Sequence, residues 1–175
     1  MISRFGSVGR VMSASPEALA AILGQNHPAI SAITAAKKLV KLGIQEQLVG
    51  QPIDVADPLL QNHLRAQLLC SSVERLYAVF VDHNRLYLNS EMVSIGGRRN
   101  LILDMRRLVH RALDNDATGI LLAHNHPSGN SRPSPKDIYE TQRLARTLRS
   151  LELSLIDHLI VCSCSIYSLE RGRTL

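Results

Sequence analysis

The sequence predicts an α/β (α+β) fold: a mixed sheet flanked by helices, preceded by a small helical module. From about residue 73 onward, short runs rich in apolar and β-branched residues alternate with segments whose apolar residues recur at helical spacing. Through the first 45 residues the helical spacing dominates, with a clear helix-start signal.

Ser15-Pro16-Glu17-Ala18 is that signal, and Leu19, Ile22 and Leu23 then form an apolar face that ends at Gly24. A second helix is expected from Ala29 through Lys41. Gln45 to Asp57, with Gly50, Pro52 and Pro58 around it, reads as a linker. A third helix, Leu59 to about Ser71, leads into the main domain. The expected organisation is residues 1–45 helical, 46–72 linker and lead-in helix, and 73–175 the core domain.

Within the core domain, strands are expected at about Arg75–Asp82, Leu86–Ile95, Thr118–His124, Leu153–Cys162 and Ile166–Glu170. They alternate with helices Leu101–Asp114 and Ser134–Leu151. In the first of these helices Leu101, Met105, Leu108, Ala112 and Leu113 make a buried stripe, leaving Arg106, Arg107 and Arg111 toward solvent. Val79-Phe80-Val81 suits either a buried strand or a subunit contact, so no oligomeric state is read from it.

Composition narrows the function classes. A chain of 175 residues supports one domain with a smaller module. Aromatic residues make up 3% with no Trp, so the core is aliphatic. Cys70, Cys162 and Cys164 form an odd set without C-x-x-C spacing, which fits a reduced cytoplasmic setting better than a disulfide scaffold. No apolar run approaches the roughly 20 residues of a membrane span, and the N-terminus has no signal-peptide hydrophobic region. The net charge of +5 and the pI near 9.4 would suit DNA contact through counterion release. The basic residues are scattered, however, with small groups at Lys37-Lys38 and Arg98-Arg99 and no interleaved aromatics, as on an ordinary solvated surface.

The chemistry concentrates around His124-Asn125-His126 and, eight residues after the second histidine, Ser134-Pro135-Lys136-Asp137. The run Ala117 to Ala123 before it reads as a buried strand, and side chains alternate along a strand, so His124 and His126 project the same way. Pro127 to Pro133 is all turn chemistry, after which Ser134 and Pro135 look like a helix cap and first position. Asp137 then sits in the first helical turn, facing back toward the strand end. Two readings of it stand: a capping-box residue with Asp in place of Glu or Gln, or a third metal ligand beside two imidazoles. Three ligands without cysteine leave a fourth tetrahedral position for water, whose pKa zinc lowers to about 7; that count points to catalysis rather than structure.

The pattern H-x-H, seven residues, S-x-x-D resembles the JAMM motif of the JAB/MPN metalloprotease family, at His124, His126, Ser134 and Asp137. The fuller run His124 to Gly129, with Ile156-Asp157-His158-Leu159-Ile160 downstream, is similar to the RadC-like branch. The resemblance covers about Val73 to the C-terminus. It implies a JAB/MPN-like, cytidine-deaminase-like sheet and a Zn2+ ion on His124, His126 and Asp137. It also implies hydrolysis of amide or isopeptide bonds, with a peptide or protein substrate, ubiquitin-like tails among them. The family's glutamate, general base and then proton donor, is assigned to Glu91, which has Gly96 five residues on. Ser134 is assigned the hydrogen bond to the oxyanion.

Where RadC-like chains carry Val-His-Pro-Arg, this one has Leu103-Asp104-Met105-Arg106. The N-terminal helices, with Arg4-Phe5-Gly6-Ser7, resemble a remnant of that branch's helix-hairpin-helix module, although Leu23-Gly24-Gln25-Asn26 supplies a single glycine. The chain begins partway into that module as the family has it, which leaves an N-terminal truncation, natural or engineered, open. Two other functions stay open: a DNA-binding accessory protein with weak, non-specific contact, and a metal-free scaffold. Asp157-His158 reads as structural, with support of a metal-bound histidine as the alternative.

Overall fold

The computed structural model describes residues 2–69, 73–95 and 103–175. Cys70, Ser71, Gly96, Arg98, Arg99 and Leu101, which the sequence reading invoked, lie outside the described residues. The chain divides into two compact units, Met1–Glu46 and Gln47–Leu175.

The first unit holds α1 (Ile2–Phe5), α2 (Val8–Ser13), α3 (Pro16–Leu23) and most of α4 (Pro28–Leu48). Ser15 caps α3 by accepting from the Ala18 amide, with Pro16 at the first helical position as expected. The extended α4 corrects the linker reading: Gln45, Glu46 and Gln47 are good helix formers, and the helix runs on to Leu48, just before Gly50 at φ 71.

The second unit is built on one sheet with strand order β2-β1-β3-β4-β5-β6. In chain order its elements are α5 (Pro58–Leu68), β1 (Arg75–Val81), β2 (Tyr87–Ile95), α6 (Met105–Asp114), β3 (Gly119–Asn125), α7 (Pro135–Arg149), β4 (Ser154–Val161), β5 (Ile166–Ser168) and β6 (Arg173–Thr174). All pairings are antiparallel except β3 with β4, which are parallel and joined through α7. The sheet is therefore mixed and flanked by helices, as the sequence predicts.

Alternation decides what each face meets. Tyr77, Val79 and Val81 of β1, with Leu121 and Ala123 of β3, pack against Leu60, Leu64 and Leu68 of α5. Leu76, Ala78 and Phe80, with Ile120 and Leu122, pack against Leu108 and Ala112 of α6 and Leu144 and Leu148 of α7. Covering both faces is what makes β1 and β3 read as near-continuous apolar runs. Val79-Phe80-Val81 is accordingly interior to the protomer. Gly119 opens β3 where a Cβ would meet Val81 Cγ2 and Ser154 Oγ, each at 2.9 Å.

On α6 the expected stripe needs one correction. Leu113 is 60% exposed, and Val109 joins Met105, Leu108 and Ala112 against the core instead. Arg106 and Arg107 face solvent, while Arg111 turns to Glu91. Asp104, from the departing Leu103-Asp104-Met105-Arg106 run, caps α6 by accepting from the Arg107 amide. No helix among the described residues is long and apolar enough to cross a membrane.

Candidate metal centre

β3 is buried along its whole length and ends at the two histidines. Ile120 and Leu122 face α6 and α7, so His124, two residues on, faces the same way, toward the start of α7. His126 lies just past the strand, and its Nδ1 stands 2.7 Å from the Asn130 carbonyl, an acceptor, so it donates there. The turn that makes this possible runs through Gly129 at φ 82, a conformation that favours glycine.

Ser134 caps α7 and Pro135 opens it. The capping box is complete: Ser134 Oγ accepts from the Asp137 amide at 3.1 Å, and Asp137 Oδ2 accepts from the Ser134 amide at 2.8 Å. The same carboxylate reaches the histidines, with Oδ1 3.5 Å from His124 Nε2 and Oδ2 3.4 Å from His126 Nε2. The two readings of Asp137 therefore coexist: it caps the helix and faces the imidazoles. The Ser134 hydroxyl donates to Asp137 Oδ2 at 2.6 Å, so its proton is committed to that carboxylate rather than aimed at the cavity.

His124, His126 and Asp137 each offer one ligand atom, all within 4.8 Å of one another. A tetrahedral zinc ion with bonds of about 2.0–2.2 Å spaces its donors roughly 3.3–3.6 Å apart. The imidazole–carboxylate separations of 3.4 and 3.5 Å fall in that range, while the two Nε2 atoms at 2.9 Å stand about 0.4 Å closer than it and would part slightly around an ion.

Glu91 does not line the cavity around this cluster. It pairs with Ala78 on β1, which in turn pairs with Leu122, whereas His124 lies two residues farther along β3. One intervening strand and two residues of offset amount to about 12 Å between backbones. The Glu91 carboxylate instead accepts from Arg111 Nε at 2.7 Å. Besides Asp137, the carboxylates lining the cavity are Glu74, immediately before β1, and Glu140 on α7. Leu76, paired with His124, is the last residue of the β1–β3 ladder at this end, and Glu74 precedes it by two, on the side of His126.

Asn125 fixes that placement. Its carboxamide accepts from the Arg75 amide at 2.8 Å and donates to the Val73 carbonyl at 3.1 Å, gripping the backbone on both sides of Glu74. Sequence reasoning missed both residues. The available signal was Glu74 itself, an acidic residue at the mouth of a strand that must pair beside the histidines.

The centre opens into a cavity of about 470 Å³. Its polar wall includes Glu74, Ser134, Lys136 and Glu140, and its apolar floor is Leu76, Leu103, Leu122 and Leu144. His158, from β4, lies behind His124 with its Nε2 2.8 Å from His124 Nδ1. Asp157 turns away from the centre, accepting from Ser168 Oγ at 2.5 Å and the Glu170 amide at 3.1 Å, which ties β4 to the end of β5.

Residues 49–174 match the RadC-like JAB domain family. The chain belongs to that family. The RadC-like JAB domain thus takes in the whole sheet and every residue of the centre. Similar relatives are UPF0758 proteins. One from Neisseria gonorrhoeae strain NCCP11945 is 30% identical over 172 residues, covering 98% of this chain and 76% of the relative. Another from Cupriavidus taiwanensis is 32% identical over 173 residues, 98% of this chain and 75% of the relative. One from Cupriavidus necator is 32% identical over 170 residues, 97% and 74%.

Electrostatics divide the RadC-like centre. Burial pushes His124 well below the ordinary imidazole value, with His158 adding to it. Burial likewise pushes His158 down to about 4. His126 goes the other way, raised chiefly by its contact with Asp137. Burial alone would raise Asp137, but hydrogen bonds from His126 and Ser134 and the field of His124 hold it well below the usual carboxylate range.

In the metal-free protein, His124 and His158 contribute stability above their ordinary value of 6.5 that is lost as pH falls through their depressed folded values. His126, raised, contributes stability present below 6.5 and lost as pH rises through its folded value. Asp137 keeps its contribution down to its ordinary 3.8 and loses it below that. His126 acts only above 6.5, so between about pH 6.5 and pH 4 the two depressed imidazoles are unopposed and the urea midpoint of metal-free protein is expected to fall. His158→Gln is expected to flatten that fall; an unchanged slope would contradict the burial account.

Proposed function

We propose that this chain is a zinc-dependent hydrolase of amide or isopeptide bonds, a JAMM-type metallopeptidase. The observation that carries the reading is the convergence of His124, His126 and Asp137 at one mouth of a cavity that Glu74 also lines. When bound, zinc supplies Lewis-acid polarisation of a carbonyl and lowers the pKa of water. The chain supplies the rest. His124 and His126 present Nε2 atoms from a rigid strand end, and the Ser134–Asp137 capping box holds the third donor at the helix start.

Glu74 takes the general-base role, accepting the proton of the attacking water and returning it to the leaving amine. Ser134 acts first as the support of Asp137; it reaches an oxyanion by rotating its hydroxyl off that carboxylate. The leucine floor keeps bulk water from the reacting carbonyl. The substrate proposed is a peptide or protein amide, ubiquitin-like tails included.

The test is zinc stoichiometry by elemental analysis after dialysis against a weak chelator. About one zinc per chain is expected in the wild type, and none in the His124→Ala, His126→Ala double variant. Wild-type protein that takes up no zinc when the ion is added back would overturn the reading. Zinc-loaded protein then goes to peptide and isopeptide substrates.

A further inference from the structure

We propose that Thr141 and His158 form a positioning relay that decides which nitrogen of His124 is offered to a metal ion. The inference rests on the reading of His124, His126 and Asp137 as a metal centre. Its geometry is a closed chain of contacts that begins and ends on one residue.

Thr141 lies one helical turn beyond Asp137 on α7, and its hydroxyl donates to the Asp137 carbonyl at 2.6 Å. A hydroxyl has one proton, and a carbonyl only accepts, so that proton is spent. Toward His158 Nδ1, also at 2.6 Å, Thr141 Oγ1 must therefore accept, which places the His158 proton on Nδ1. His158 is 7% exposed, and both of its ring nitrogens are engaged by neutral groups, so it is the neutral imidazole with a bare Nε2. That atom stands 2.8 Å from His124 Nδ1, which must then carry the His124 proton.

His124 Nε2 is left bare, facing His126 Nε2 and the Asp137 carboxylate. His126 donates from Nδ1 to the Asn130 carbonyl, and its Nε2 faces the Asp137 carboxylate. With Nδ1 protonated, His124 turns the lone pair of its Nε2 toward the space it shares with His126 and Asp137, as a metal ligand must. The first two turns of α7 thus set both the position of the third donor and, through Thr141 and His158, the protonation pattern of the first. Thr141 and His158 are positioning residues: neither offers an atom to the ion.

Thr141→Val keeps the shape and removes the hydroxyl, whereas Thr141→Ser keeps the hydroxyl. Imidazole 15N shifts of the metal-free full chain report which nitrogen of His124 is protonated, and chelator competition reports zinc affinity. Expected are a proton on Nδ1 in the wild type and Thr141→Ser, and a tautomer mixture in Thr141→Val with zinc bound about 10- to 100-fold more weakly. Thr141→Val with wild-type shifts and affinity would overturn the relay, and so would Thr141→Ser as impaired as Thr141→Val, because packing would then be the cause. A wild-type spectrum showing His124 protonated on Nε2 overturns it without any variant. Wild type that binds no zinc defeats the hydrolase reading instead, and the 15N shifts still decide the relay.

Discussion

Glu74→Gln is expected to lower turnover of any amide the zinc-loaded chain cleaves by about 10²- to 10⁴-fold, the usual worth of a positioned general base. Glutamine keeps the size and the backbone grip that Asn125 exerts on either side, so fold and zinc content stay at wild-type values. Glu91→Gln is the companion measurement. It removes the charge that Arg111 binds at 2.7 Å and leaves the cavity lining intact, so turnover changes little and any effect appears as a small loss of stability. Steady-state kinetics on both variants separate the two carboxylates. Normal turnover in Glu74→Gln with a collapse in Glu91→Gln would return the role to Glu91.

Asp137→Asn is expected to weaken zinc binding by more than the 10- to 100-fold typical of losing an outer partner, because a direct anionic donor is lost. The amide preserves an acceptor for the Ser134 backbone, so the helix start loses within about 1 kcal/mol, the typical worth of one capping interaction. Chelator competition and urea unfolding of the metal-free protein read the two roles separately. An Asn variant that binds zinc like the wild type, with only the unfolding midpoint lowered, would reduce Asp137 to a cap.

The parts of this structure that were legible in the sequence are those fixed within a few residues. The run from Ala117 to Ala123 is apolar because β3 is covered on both faces, and His124 and His126 follow by alternation. Ser134-Pro135 announces α7, and its third position delivers Asp137. Glu74 was not legible, because its place depends on β1 pairing with β3 across some 50 residues of chain. The partner of Glu91 was hidden for the matching reason: a strand carboxylate shows nothing of Arg111, which arrives from a helix that folds over it. The polar stretch Gln45-Glu46-Gln47 looked like a linker when it belongs to the last turn of α4, which ends on the buried Leu48. The link between His124 and Thr141 was hidden as well, since it passes through a third element, β4.

Asn125 carries a consequence for how tightly this sheet must be assembled. Its carboxamide completes, in side-chain atoms, hydrogen bonds that the backbone ladder between β1 and β3 no longer makes beyond Leu76 and His124. A slip of one residue would exchange the faces of every side chain on β1 relative to β3. The carboxamide would then meet the wrong amide and carbonyl, and Glu74 would point to the α5 side of the sheet. The middle letter of His-Asn-His thus acts as a vernier: alignment of the two strands is checked at the point where chemistry depends on it, and a misaligned chain is left with a buried, unsatisfied amide and an inert centre.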